Sequence, residues 1–280
     1  MHPAAFEYVR AGSAGEALAA LAEHGDEAKL LAGGHSLLPL MKLRLATPSV
    51  LVDIGELDDL AYVREDGDVL AVGALTRHVA LETDATVRGR LPLLAEVAHV
   101  VGDPQVRNRG TLGGSLAHGD PASDLPAATL ALDATFVVEG PRGRREIAAP
   151  AFFTGFLETA VEPDELLVEV RFPLAHDEPP AGAYHKLTRR SQDWAVVAAA
   201  ASRVPGTANE ARVALVNMGP VPQRAPAVEA ALASGASAAE AAELAAEHAA
   251  PSADIHASVD YRRHLARVLV RRALTDAGLT

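Results

Sequence analysis

The chain has 280 residues, 49% of them hydrophobic, and no cysteine. That length suffices for two domains or subdomains with a substantial core, while the missing thiols exclude disulfides, cysteine-bound zinc and cysteine-held iron–sulfur clusters within it. A formal charge of −12 argues against general nucleic-acid binding, which needs a basic footprint, and against an anionic membrane surface.

In chain order, Met1–Tyr8 lacks the basic region and apolar core of a secretory signal. No later run is long and apolar enough for a membrane span, so a cytoplasmic chain without an integral membrane segment is expected. Ser13-Ala14-Gly15-Glu16 resembles a capping box and predicts a helix that stops near Gly25. Lys29-Leu30-Leu31 reads as a buried strand. Ser36 is placed to cap a short helix through Met41, in whose first turn Pro39 is tolerable. Val50–Ile54 reads as the next strand, closing a small α/β unit near residue 55.

Asp66-Gly67 predicts a hairpin between Leu60–Arg64 and Val69–Val72. Thr76 is a candidate helix cap, and Leu91–Val101 and Asp120–Leu132 carry helical patterns. Thr135–Glu139 and Arg144–Ile147 form a second expected hairpin, with Leu166–Phe172 a further strand. His176-Asp177-Glu178-Pro179-Pro180 reads as a linker. Beyond it, strands are expected at Ala183–Thr188, Ala195–Val204 and Ala211–Val216. Ala-rich helices follow near 225–234 and 238–249, then a basic amphipathic helix near 260–277. Strands followed by helices make this an α+β module.

Two glycine-rich segments carry most of the functional information: Ala32-Gly33-Gly34-His35-Ser36 and Thr111-Leu112-Gly113-Gly114-Ser115. Paired glycines allow positive φ and let a ligand approach the main chain. Successive N–H groups in such a turn form a concave anion site. Either pair alone reads as an ordinary tight turn; together they suit two loops clasping the phosphates of a dinucleotide. Neither has the Lys-Ser/Thr ending of a P-loop or the glycine spacing of a Rossmann fingerprint.

The neighbouring polar residues each support two readings. His35 suits a phosphate contact or a solvent-facing turn. Ser36 and Ser115 suit phosphate donation or helix capping. Arg107 and Arg109 suit phosphate neutralisation, partner contact or surface pairing. His118, Asp120 and Asp124 include metal-ligand types, but Asp120-Pro121 is better read as a helix start. Asp124 is also placed to accept from a ribose or ring N–H, and Lys186 to reach the same ligand or solvent. Trp194, the single tryptophan, reads first as core packing. No nucleophile–histidine–acid set stands out, so redox chemistry would rest on a bound cofactor.

The segments AGGHSLLPLMKLRL, DPQVRNRGTLGGSLAHGDPASDLPAATLALDA, YHKLTRRSQDWAVVAAA and YRRHLARVLVRRAL resemble the FAD-binding medium subunits of molybdenum hydroxylases. The likeness is strongest to the aerobic carbon monoxide dehydrogenase branch of a family that includes xanthine dehydrogenase. It implies an α+β chain: a two-subdomain FAD-binding fold of the PCMH (vanillyl-alcohol oxidase-like) type over 1–177, divided near residue 56, and a C-terminal domain with an antiparallel sheet and helices over 178–280. It implies FAD contacts from Ala32, Gly33, Gly34, His35, Ser36, Thr111, Gly113, Gly114 and Ser115, with Leu37 near the flavin and Asp124 and Lys186 as further contacts. It also implies a small [2Fe–2S] subunit, a large molybdopterin subunit, a heterotrimer dimerised to a heterohexamer, and an external electron acceptor. Through that complex the chain can sit peripherally at the inner face of the membrane. Departures are small: Leu112 stands where isoleucine is frequent, and Gly119 and Ser123 where alanine is common, neither expected to touch the cradle. A self-sufficient flavin oxidoreductase and a non-catalytic assembly protein with a degenerate cradle are the alternatives.

Overall fold

The computed structural model describes residues 1–175 and 178–280. A three-stranded parallel sheet is ordered Glu7–Arg10, Val50–Asp53, Ala28–Leu31. Helix Ala14–His24, capped by the Ser13 side chain on Glu16 N, presses Ala17, Ala20 and Leu21 onto Val50 and Val52. The first strand was not anticipated; Glu-Tyr-Val-Arg lies on a sheet edge with three exposed positions and so lacks a buried alternation.

A five-stranded antiparallel sheet follows, ordered Val63–Asp66, Val69–Gly73, Leu166–Pro173, Thr135–Gly140, Gly143–Ala148. Period-2 alternation sends its side chains to two different cores, and a bulge between Leu167 and Glu169 swaps the faces along Leu166–Pro173. Phe136, Val138, Val170 and Phe172 face the helices of the middle region. Val137, Leu166 and Val168 face the N-terminal unit. The third sheet is antiparallel: Gly182–Leu187, Val197–Arg203, Ala211–Val216, Gln223–Arg224. Its alanine run is explained in the same way. Ala198 and Ala200 enter the middle core. Ala199 and Ala201 enter the core under helix Val259–Asp276. A strand buried on both faces has no polar alternation to show.

Both predicted hairpins form, and the α+β class holds. Four local expectations fail. Thr76 does not cap a helix; its hydroxyl is bound to Tyr62 O and accepts from Tyr62 N, and the helix begins after Arg77. Asp120 instead closes a turn through Ala122 N, and the helix spans only Asp124–Ala131. Ser36 occupies the N-cap position of Leu37–Lys42 without a side-chain bond. The second Ala-rich helix stops at Ala242 and continues as turns. His176 and Asp177 of the expected linker, and with them the 177/178 boundary, lie outside the described residues. Among the described residues no helix is long and apolar enough to cross a membrane.

Candidate functional site

The first glycine segment leaves strand Ala28–Leu31 and enters helix Leu37–Lys42. Gly34 turns the chain at φ +79°, and a Cβ there would lie 2.9 Å from Leu38 Cδ1. Among the described residues, the N–H groups of Gly33, Gly34, His35, Ser36 and Leu37 have no internal acceptor. The first bond of the turn is Leu38 N to Gly34 O, at 3.1 Å. Five consecutive unpartnered donors around a positive-φ glycine form a concave row suited to an anion. His35 is exposed, while Ala32, Gly33, Gly34, Ser36 and Leu37 are half-buried.

The second segment is not a loop. Thr111 caps helix Leu112–His118 through Oγ1, which accepts from Gly114 N at 3.1 Å. Leu112 N donates to Thr76 O, Gly113 N to Ala74 O at 2.7 Å, and Ser115 N to Thr111 O. The expectation of a second cradle of free N–H groups therefore fails for Leu112–Ser115, whose donors are spent holding the segment in place. Its glycines supply clearance instead. A Cβ on Gly113 would sit 2.6 Å from Ala74 Cβ and 2.8 Å from Ala74 O, so Gly113 packs directly on the five-stranded unit.

The two segments touch. A Cβ on Gly33 would run into Arg109 O and lie 2.9 Å from Gly110 Cα, and one on Gly114 would be 3.8 Å from Ala32 Cβ. His78, which sequence reasoning missed, supports the second segment from beneath. Its backbone N donates to Gly110 O, and its Nε2 lies 3.0 Å from Thr111 O. Burial lowers its pKa to about 4, so the ring is neutral, with Nε2–H donating and Nδ1 left without a partner. Gly110 leaves room for the ring, since a Cβ there would strike His78 Cε1 at 2.7 Å.

Ser115 Oγ and Ser123 Oγ are 2.9 Å apart, so Ser123 touches the glycine segment, against expectation. Asp124 follows it and is buried. Tyr184 OH donates to its Oδ1 at 2.5 Å and Lys186 Nζ to its Oδ2 at 2.8 Å. Lys186 also donates to Val100 O at 3.3 Å. Burial raises the Asp124 pKa against the opposing pull of the Lys186 charge. Asp124 and Lys186 are thus brought together as an ion pair tying the third sheet to the middle region.

Arg107 is committed to Glu82, Nε to Oε2 at 2.7 Å, so it is paired as one reading expected, but in a half-buried ion pair and not on the solvated surface. Arg109 is exposed. Trp194 is 58% exposed and is not core packing. It lines a cavity of about 590 Å³ with Arg189, Arg190, Asp193 and Arg262.

Residues 4–175 match the FAD binding domain of molybdopterin dehydrogenases, and residues 182–277 the C-terminal domain of carbon monoxide dehydrogenase flavoproteins. The medium chain of carbon monoxide dehydrogenase from Hydrogenophaga pseudoflava is 44% identical, over 99% of this chain and 98% of its own. Subunit alpha of the 6-hydroxypseudooxynicotine dehydrogenase complex from Paenarthrobacter nicotinovorans is 39% identical, over 99% of this chain and 96% of its own. A solved structure of the Hydrogenophaga pseudoflava carbon monoxide dehydrogenase superposes with TM-score 0.95 at 45% identity, over 99% of both chains. The chain therefore belongs to the FAD-binding medium subunits of the carbon monoxide dehydrogenase and xanthine dehydrogenase family of molybdenum hydroxylases, as an oxidoreductase component.

Proposed function

We propose that this chain holds FAD between its two glycine segments and serves as the electron-exit subunit of a molybdenum hydroxylase. The observation that carries the reading is the row of unpartnered N–H groups from Gly33 to Leu37, set beside Gly114, where a Cβ would lie 3.8 Å from Ala32 Cβ. A diphosphate offers the oxygens that such a row accepts, and bare glycines let it reach the backbone. Ala32, Gly33, Gly34, His35 and Ser36 contact it from one side. Thr111, Gly113, Gly114 and Ser115 contact it from the other, and Leu37 meets the flavin. Asp124 and Lys186 enter as a pair. Both oxygens of Asp124 are occupied, whereas Lys186, with two of its three donors used, has one to spare for the cofactor.

Bound FAD supplies the electron-transfer chemistry; the residues of this chain bind it, orient it and limit its exposure to water. Residues 1–177 form the FAD-binding domain and 178–280 the flavoprotein C-terminal domain. A small [2Fe–2S] subunit delivers electrons, a large molybdopterin subunit oxidises the substrate, and an external acceptor receives the electrons. The assembly is a dimer of heterotrimers in the cytoplasm. The substrate is set by the large subunit, since relatives at 44% and 39% identity are named for carbon monoxide and for 6-hydroxypseudooxynicotine.

The test is an absorption spectrum of the complex purified from its native host, with the co-purifying chains identified. Flavin and iron–sulfur bands with two partner chains are expected. Flavin in a lone, active chain would replace this reading with the self-sufficient oxidoreductase. Failure to bind added FAD, alone and with both partners, would remove it altogether.

A further inference from the structure

Arg77 sits where three backbones converge. Its Nη1 donates to Arg109 O at 2.5 Å and its Nη2 to Gly55 O at 2.9 Å. Arg109 O is the atom against which Gly33 packs, and Gly55 lies against Ala32 O, where a Cβ would come within 3.2 Å. One planar guanidinium thus spans the end of the parallel sheet, at the turn beside Ala32, and the approach to Thr111. A fork of fixed geometry can hold two acceptors at a set separation; an ammonium on a flexible stem cannot hold both in that way.

The charge is as informative as the geometry. Arg77 is half-buried, both bonds go to neutral carbonyls, and among the described residues it has no ion pair. Burial is the main influence lowering its pKa; Arg109 adds like-charge repulsion. The carboxylate with an opposing effect, Asp53, is already engaged by the Tyr8 hydroxyl at 2.6 Å and by Gly55 N at 2.8 Å. A chain of net charge −12 therefore places at the seam of its glycine segments two arginines that have no ion pair among the described residues.

We propose that Arg77 is the positioning residue that locks the two glycine segments into one cradle, and that its positive charge is matched there by the diphosphate of the cofactor. The inference rests on the FAD reading above and assigns the residue that sets the width of the cradle. It also accounts for the seam being bridged through neutral carbonyls. A carboxylate bridge would hold the segments equally well, but it would cancel the field that draws an anion.

The experiment uses the full chain stripped of flavin, with Arg77→Lys and Arg77→Met. FAD affinity is titrated by flavin fluorescence at low and high salt, and thermal unfolding is followed without FAD. Wild type is expected to bind FAD more weakly as salt rises, because screening weakens the attraction. Arg77→Met should lose about tenfold to a hundredfold in affinity, the range for losing hydrogen bonds from a charged donor, and its binding should depend less on salt. Arg77→Lys should fall between the two and keep the wild-type salt dependence. Wild-type affinity in Arg77→Met overturns the proposal. So does a loss in both variants with unchanged salt dependence and a matching collapse of thermal stability, which would make Arg77 a general stabiliser. A wild-type chain that takes up no FAD, alone or with its partner subunits, fails the FAD reading itself and is distinguished by that control.

Discussion

Gly33→Ala tests the seam with a single methyl group. The added Cβ would collide with Arg109 O, and it would sit 2.9 Å from Gly110 Cα and 3.0 Å from Arg109 C. Carbon atoms rest at about 3.5–4.0 Å, so the segments must part by roughly 1 Å. All three atoms are backbone, so no rotamer change relieves the clash. Overpacking of this kind costs about 1–3 kcal/mol. Because the seam is already closed in the flavin-free chain, that cost shows as a lower unfolding temperature, and the roughly 1 Å widening also spoils the fit of the Gly33–Leu37 donors, so FAD affinity falls as well. The control is Gly89→Ala, in helix Ala85–Arg90, where a Cβ meets nothing within 4 Å; alanine there favours the helix by up to about 1 kcal/mol. The assay is fluorescence titration of the flavin-free full chain with FAD, beside thermal unfolding of both variants. Gly33→Ala binding FAD as tightly as Gly89→Ala would show that the contact between segments does not define the cradle.

Two further outcomes follow from buried titratable groups. His78 is 4% exposed and its pKa falls from 6.5 to about 4 in the fold. The neutral ring is therefore favoured by folding: stability is full above pH 6.5 and is lost as pH falls toward 4, by up to about 3 kcal/mol. His78→Gln should flatten that part of the pH–stability curve measured by chemical denaturation, and an unchanged slope would refute a buried neutral His78. Lys186→Met leaves Asp124 buried without its cation, at a cost of about 3–5 kcal/mol. Burial raises the Asp124 pKa, so protonation at low pH should relieve part of that loss. The variant should be worst at high pH, and equal destabilisation at pH 5 and pH 8 would refute the assignment.

Much of the fold was legible because the signals were local. Asp66-Gly67 and the Gly140–Gly143 turn each join strands that pair in the observed register. The first glycine pair was also legible, since a positive-φ Gly34 after a strand is what a tight turn requires. The second pair misled for a physical reason. Glycine disfavours helix by about 1 kcal/mol, so Gly113-Gly114 reads as a loop. Here tertiary packing overrides propensity: Gly113 is helical because only a missing side chain lets the helix lie on Ala74. His78 and Arg77 gave no sequence signal, because their side-chain partners are main-chain carbonyls 22 to 33 residues away. The Asp124–Lys186 pairing spans 62 residues and has no local pattern; the sequence put both residues near one ligand but gave no sign that they bond each other.

The two similar glycine motifs do different physical work. The first spends no N–H between Gly33 and Leu37 on its own fold, and such orphaned donors are tolerable only where water or a ligand accepts from them. The second spends its donors from Leu112 to Ser115 internally and is fixed before any ligand arrives. The donors belong to the parallel-sheet unit and the rigid wall to the antiparallel-sheet unit. Neither unit alone makes the cradle; it exists only where Gly33 meets Arg109 and Gly110. The contacts that set this seam are few: the close glycine packing, the Arg77 fork across two carbonyls, and His78 beneath Thr111. In the proposed cradle, a wall with satisfied donors facing a row with free ones would keep the width of the site independent of the anion. That preorganisation reduces the ordering cost of binding.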